Sequence, residues 1–343
     1  VTTAIIDLDM VKYTLASVGE ETSLKVTNKN TQVSKVFKNK TAFWGRKKKE
    51  FGGELGDWLS LLEIEEERSK EDLLKLFDFE ILQEQTEPLD HILHSCKVFI
   101  DKALKDIGAK KIVAFAGKGD SFRVELSTLK EYKGPRKGMV KPLLLDKVTD
   151  YLVKKYKGEV VTGIEADDKL VWEYIERTQK GEKCVVIAED KDMYGTPIKL
   201  YNPKRPSEGI INCNGFGELR IEGQAPNEKI KGHGRLFKYF QIISDDDVDN
   251  YKANCCSDVR WGAKSAYKAL KDCTTDKEAW QVMVDVFKKL YPEPKEVEGW
   301  RGDQVGINWL YVMQEMVDMA HIHRKQDDFI DVETTLKKLE IEK

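Results

Sequence analysis

No run of this sequence stays apolar for the roughly 20 residues that a bilayer span requires. None of its six cysteines forms a Cys-x-x-Cys pair. Histidine is scarce, five in 343 residues, and no Cys/His spacing of the zinc type occurs. These absences argue against a membrane protein, a disulfide-stapled fold and soft-metal chemistry. No secretory signal opens the sequence, which starts at Val1, so a reduced cytoplasmic setting is the expectation. The adjacent Cys255 and Cys256 read as a packing or loop feature rather than a redox pair. A further absence is local: residues 22–49 contain no acidic side chain.

Charge is what the chain has in abundance. Asp, Glu, Lys and Arg make up 34% of it, above the roughly 25% usual in soluble domains, yet the net charge is only −3. The placement of charge therefore matters more than its sum. Residues 22–49 carry Lys25, Lys29, Lys35, Lys38, Lys40, Arg46, Lys47, Lys48 and Lys49, interleaved with Phe37, Phe43 and Trp44. Cations for phosphates and aromatics for bases are the ingredients of single-strand binding. A basic loop that anchors its aromatics in the core fits the same pattern. An acidic amphipathic pattern over 59–82 then predicts a helix.

Periodicity predicts a short buried strand over 3–8, with a helix over 10–18. Further helices are expected over 91–107, 142–156 and 165–179, and strands over 111–115, 160–161 and 183–188. Residues 198–201 and 209–213 read as a strand and a hairpin-like element. Beyond about 231 the pattern turns almost wholly helical, over 236–243, 263–270, 277–290 and 304–320, with the aromatics and methionines of 309–319 as core. Alternating strands and helices imply an α/β layer with a mainly parallel sheet flanked by helices, and a helical C-terminal region. The domain reading is 1–230 and 231–343, with an insertion at about 20–85.

Carboxylates collect at the junctions. Asp7 and Asp9 end the first strand; Glu165, Asp167 and Asp168 open a helix; Asp190 and Asp192 follow the 183–188 strand; Asp246 and Asp249 lie in a later loop. In a parallel sheet the strand C-termini share one edge, where ligands bind. Like charges gathered there repel by several kcal/mol unless neutralised. Mg²⁺ or Mn²⁺, which prefer oxygen ligands, is the expected remedy, as two ions able to serve a phosphodiester. A dense basic stretch, Lys130, Lys133, Arg136, Lys137 and Lys141, with Tyr132 within it, supplies phosphate-gripping groups. Tyr132 suits either stacking on a base or packing. The five histidines read as structural or surface residues.

Six motifs occur in order: Ile5-Ile6-Asp7-Leu8-Asp9; Phe122-Arg123 followed by Tyr132-Lys133-Gly134-Pro135-Arg136; Gly163-Ile164-Glu165-Ala166-Asp167-Asp168; Asp190-Lys191-Asp192; Asp246-Asp247-Val248-Asp249-Asn250; and Gly262-Ala263-Lys264-Ser265-Ala266. In this combination the chain resembles the bacteriophage and bacterial 5′→3′ exonucleases, relatives of the flap endonucleases with a PIN-like fold. The resemblance spans about residues 3–270. It departs from the family at Gly117, where an Asp often stands and the nearest acid is Asp120. It departs again at Asp245 and Arg260, where glycines are usual.

The resemblance implies a PIN-like core and an arch-like basic segment over about 120–141. It also implies a helix-hairpin-helix-like element near Gly262 that grips duplex DNA through Lys264 and holds K⁺. Asp7, Glu165, Asp167, Asp168, Asp190, Asp192, Asp246 and Asp249 would hold two Mg²⁺ or Mn²⁺ ions. Lys133, Arg136 and Arg123 would stabilise charge at the scissile phosphate, and Tyr132 and Lys137 would contact nucleic acid; Arg46, Lys47, Lys48 and Lys49 belong to the basic insertion, which the resemblance does not explain, and are nucleic-acid candidates from their charge alone. The implied activity is hydrolysis of DNA with a 5′ end, nick or flap, in phage replication or degradation, by a monomer in the host cytoplasm that could meet replication proteins. Two alternatives stand beside it: an RNase H-like nuclease removing RNA from RNA–DNA hybrids, and an inactive nucleic-acid-binding module.

Overall fold

The computed structural model describes residues 1–44, 75–224 and 228–342. The chain divides into two compact units. The larger comprises Val1–Lys12, Lys97–Met139 and Thr149–Lys343, and the smaller comprises Tyr13–Cys96 and Val140–Val148.

The larger unit is built on a six-stranded sheet. Its order is Glu159–Gly163, Ala109–Ser121, Thr2–Asp7, Lys183–Ile187, Lys199–Tyr201 and Ile210–Asn212. The first five are parallel and the last is antiparallel. The expected mainly parallel sheet is therefore present, with a mixed edge. Thr2–Asp7 lies centrally, and Ala4, Ile5 and Ile6 are almost fully buried, as a parallel strand covered on both faces demands. The Ala166–Gln179 helix packs on this sheet through Leu170, Val171 and Tyr174. The C-termini of the Thr2–Asp7 and Lys183–Ile187 strands, and the turn after Glu159–Gly163, open on one edge.

A second core gathers Phe237, Trp280, Met283, Phe287, Met313 and Met316 from the later helices. The 309–319 aromatics and methionines belong to it as expected, and Thr275 and Asn308 cap two of its helices. Helix does not fill the region, however. Residues 304–307 form a strand paired with Lys295–Glu298, and the helix starts only at Trp309. Glu218–Glu222 and Lys229–His233 pair as another hairpin that periodicity missed. The Ala109–Ser121 strand also runs on through Gly117 and Gly119 instead of stopping at 115.

The smaller unit contains an antiparallel sheet in the order Ser34–Phe37, Glu20–Asn28, Phe77–Gln85. The last strand overturns part of the helix expected over 59–82, whose residues 59–74 lie outside the described residues. Pairing with Glu20–Asn28 over nine residues supplies the backbone partners that the helical pattern would have satisfied internally. Phe37, Phe43 and Phe77 are buried, with Phe37 and Phe43 ring centroids 5.0 Å apart at 75°. Both aromatics thus anchor a core rather than face bases. Arg46, Lys47, Lys48 and Lys49 lie outside the described residues.

All six cysteines are free thiols. Among the described residues no helix is long and apolar enough to cross a membrane.

Candidate metal centre

Each acidic motif is bent into place by its own local hydrogen bonds. Asp7 ends the central strand, and its Oδ1 accepts the Asp9 amide at 2.8 Å, so the chain turns into the helix that follows. Glu165 is the N-cap of Ala166–Gln179 and forms a reciprocal capping box with Asp168. Asp190 Oδ1 accepts the Asp192 amide at 2.9 Å, closing the tight turn after Lys183–Ile187. Asp246 Oδ1 accepts the amides of Val248 and Asp249 at 2.9 and 3.1 Å, which folds Asp249 back beside it.

Two overlapping carboxylate groups result. Asp192, Asp246 and Asp249 each offer an oxygen within 4.8 Å of the others, and the last two are buried. This cluster can coordinate a divalent ion: all donors are carboxylate oxygens, the chemistry that hard cations prefer. The other group is defined by electrostatic influence: Asp167 feels Asp190, Asp7 and Glu165, and Asp7 feels Asp9 and Asp190. Burial, then Asp9 and, more weakly, Asp190, push the Asp7 carboxyl up to about 8. Burial, then Asp190 and Asp7, hold Asp167 well above the usual range. Burial and Asp190 do the same to Asp192, and burial raises Asp249. Asp190 is thus the neighbour shared by both groups. Upward shifts of this kind follow from gathering like charges in a buried site.

Cations and one phenol line the two groups. Lys133, at φ 56°, directs its Nζ onto Glu165, and its amide donates to the Asp249 carbonyl at 2.9 Å. Arg136 donates to Asp249 Oδ1 at 2.7 Å. Lys191 lies 2.7 Å from Asp246 Oδ2, and Gln241 donates to Asp192 Oδ1. Tyr132 is only 4% exposed, and its hydroxyl reaches Asp249 at 3.1 Å and Glu165 at 3.3 Å. The structure thus encloses the ring that was expected to contact nucleic acid, and the phenol bridges Asp249 and Glu165.

Asp168, expected as a metal ligand, and Arg123, expected at the scissile phosphate, face each other. Both are essentially buried, and two 2.8 Å hydrogen bonds join them in a bidentate pair. Asp168 further accepts the amides of His323 at 2.8 Å and Glu165 at 3.1 Å. Burial would raise its carboxyl, but the Arg123 pair holds it below the usual range. With both oxygens engaged, Asp168 caps and anchors the helix from which Glu165 and Asp167 project. Arg123 points into this pair and at the His321 carbonyl, and its guanidinium also lies 3.5 Å from Glu165 Oε2.

At Gly117 the missing acid has a physical counterpart. The Gly117 amide donates to Asp9 Oδ1 at 2.9 Å, its carbonyl accepts Lys12 Nζ at 3.0 Å, and Lys12 and Asp9 pair at 2.7 Å. A Cβ at 117 would stand 2.9 Å from Asp9 Oδ2. Asp9 therefore occupies the space a side chain there would need, while Asp120 is exposed.

Lys137 and Lys264 are surface groups. Lys137 pairs with Glu131, and Lys264 pairs with Glu228 at 2.7 Å. Lys264 lines a groove of about 770 Å³ that also includes Lys231, Arg260, Lys191 and Asp246, so the groove opens beside the Asp192, Asp246 and Asp249 carboxylates, the second group in chain order.

No family model matches the chain, and no curated protein does. Among solved structures the chain is similar to the bacteriophage T5 5′-exonuclease with bound zinc. The identity is 17% over 72% of this chain and 90% of that one, with a TM-score of 0.41. It is also similar to the bacteriophage T5 flap endonuclease in a pseudo-enzyme-product complex with DNA and metal ions. There the identity is 15% over 72% and 89%, with a TM-score of 0.40. Overlaps of this extent leave the chemistry to be read from the chain's own side chains.

Residue reading missed Lys191, Gln241, Lys12 and the bridging role of Tyr132. Lys191 was visible between two site aspartates. Gln241 lies on a helix whose orientation only tertiary packing fixes.

Proposed function

We propose that the chain is a metal-dependent nuclease with a PIN-like core. The reading is a 5′→3′ exonuclease or flap endonuclease that hydrolyses DNA phosphodiesters. The observation that carries it is the pair of carboxylate groups joined at Asp190, with Lys133 and Arg136 seated beside them. Sequence order supports it too, since six motifs of one nuclease family fall along the chain in the right succession.

Asp192, Asp246 and Asp249 would hold one Mg²⁺ or Mn²⁺ ion, and Asp7, Glu165 and Asp167 a second, with Asp190 between them. Such ions, when bound, polarise a phosphoryl oxygen and lower the pKa of water. Lys133 and Arg136 are long enough to exchange a carboxylate partner for a phosphate and offset charge developing there. Burial around Asp7 and Asp249 excludes bulk solvent and strengthens every charge interaction in the site. The groove beside Asp246, with Lys231, Arg260 and Lys264 on its walls, would take the phosphates of a duplex. K⁺ near Gly262 and removal of RNA from hybrids are finer readings within the same class.

The test is Mg²⁺-dependent digestion of 5′-labelled flap, nicked, blunt and RNA–DNA duplexes by wild type and by Asp249→Asn. Turnover by wild type with loss of 100-fold or more in the variant is expected. Equal turnover by both would sink the assignment. A binding module without turnover is the second reading, favoured by Gly117 and by the Lys12 ammonium beside Asp9. Nucleic-acid binding by wild type with no cleavage of any substrate would select it.

A further inference from the structure

The segment after the Trp309–Ala320 helix reaches deep into the larger unit. His321, His323 and Asp328 are each 6% exposed or less. Lys238 Nζ lies 2.9 Å from His321 Nδ1, and His321 Nε2 lies 3.0 Å from Asp328 Oδ2. Those partners set the imidazole with its proton on Nε2. Asp328 also accepts the Arg324 amide at 3.0 Å and its guanidinium at 2.7 and 3.0 Å. The backbone of this segment then meets the carboxylate site: Arg123 donates to the His321 carbonyl, and the His323 amide donates to Asp168 Oδ1 at 2.8 Å. The His323 ring stacks on Phe122 at 4.5 Å, next to Arg123 in sequence.

We propose that Lys238, His321, Arg324 and Asp328 form a positioning clamp, built on the buried His321–Asp328 pair, that fixes the Arg123–Asp168 pair and thereby sets Glu165 and Asp167 for metal binding. This rests on the metal-site reading above and assigns a part to a region that the sequence left without one. None of the four touches a metal-site carboxylate of either group through its side chain, so all act through another residue. The clamp's four members are spread over the Gly234–Ile243 helix and the 321–328 segment, and what they hold in common is the backbone at 321–323. Lys238 extends the reach. It lies three residues before Gln241 on the same helix, and Gln241 donates to Asp192. Residues three apart share a helix face, so one helix touches both the clamp and the second carboxylate group. The burial that pushes Lys238 down to about 7 is the cost of placing an amine at this junction.

Partners that orient metal ligands from behind typically change metal affinity by 10–100-fold when removed. Mn²⁺ binding to the intact chain, read from the free-ion electron paramagnetic resonance signal, is the direct measure. Asp328→Ala should weaken Mn²⁺ binding by about tenfold or more. It should also raise the Mg²⁺ concentration for half-maximal cleavage, while the rate at saturating Mg²⁺ changes less. Asp328→Glu should recover part of the affinity. Met283→Ala, a cavity in the second core away from the site, should lower the melting temperature without moving the Mn²⁺ affinity, which separates positioning from general loss of stability. If Asp328→Ala does not fold, Lys238→Met removes only the His321 contact and should weaken Mn²⁺ binding in the same direction. Wild-type affinity in a folded Asp328→Ala or Lys238→Met overturns the clamp alone. Absence of Mn²⁺ binding by wild type overturns the metal-site reading, and the clamp with it.

Discussion

Removing one negative charge from the second carboxylate group should make the metal-free protein more stable. Asp192 has oxygens within 4.8 Å of both Asp246 and Asp249. At an effective dielectric of about 20, one pair of full charges at that distance repels by about 3.5 kcal/mol. Lys191 and Arg136, each 2.7 Å from one of these carboxylates, offset much of this. The upward shifts of Asp192 and Asp249 act in the same direction. A net relief on the order of 1–3 kcal/mol remains for Asp192→Asn. The amide oxygen can still accept from Gln241, so no polar group is orphaned. For a body of this size 1 kcal/mol is worth about 2–4 °C in melting temperature. In EDTA the variant should therefore melt several degrees above wild type. In Mg²⁺ the order should reverse. Wild type gains about 2.7 kcal/mol at a hundredfold excess over its dissociation constant, and the variant loses most of that gain. Melting temperatures of both proteins, with and without Mg²⁺ at pH 8, measure the crossover. A variant that melts below wild type in EDTA and keeps the full metal increment would refute the account of the cluster as a destabilised cation site.

Asp168→Ala should behave oppositely, melting far below wild type already in EDTA. It leaves the Arg123 guanidinium buried without its partner, a loss of about 3–5 kcal/mol, measurable by chemical denaturation. The Asp7 carboxyl supplies a pH test. Its folded value near 8 lies above the unfolded one of 3.8, so the stability it contributes is complete below about 4 and is lost as pH rises through 8. Metal-free melting temperature should fall across that window while the increment from Mg²⁺ grows, and a flat increment would count against metal binding there. Tyr132→Phe should leave single-stranded DNA affinity by fluorescence anisotropy unchanged while shifting the Mg²⁺ dependence of cleavage. A stacking residue would show the reverse. Gly117→Ala should cost about 1–3 kcal/mol, as an added Cβ presses on the Asp9 carboxylate. A neutral effect in thermal denaturation would show that Asp9 can swing away.

Much of the site was legible because its signals are local. Asp7 ends an apolar strand, Glu165 opens a helix, and Asp190 follows Lys183–Ile187, so strand and helix periodicity alone put them on one edge. Lys133 and Arg136 stood out as part of a dense basic stretch, and their role beside the carboxylates came from the family resemblance. What periodicity could not supply was direction. Asp168 is one residue from Asp167, and a helix turns successive side chains about 100° apart. One faces the site, and the other faces Arg123. Tyr132 sits in a stretch of cations that reads as surface, yet its ring is buried by contacts from distant segments. The Phe77–Gln85 strand carries acids at near-helical spacing and becomes a strand only because Glu20–Asn28 lies free to pair with it. The helical reading of 304–307 failed likewise, since its hairpin partner at Lys295–Glu298 is recognised only once both are formed.

The order in which these residues leave the ribosome has a consequence of its own. The Thr2–Asp7 strand is made first but lies between Ala109–Ser121 and Lys183–Ile187, so it waits for both before it has neighbours. Asp249 follows later still, and His323, which grips Asp168, comes near the end. At synthesis rates of about 5–20 residues per second, Asp7 and His323 emerge roughly 15–60 s apart. A nascent chain thus carries acids and bases in abundance but no assembled centre. Whatever the carboxylates do together waits until the 321–323 segment has joined the Arg123–Asp168 pair.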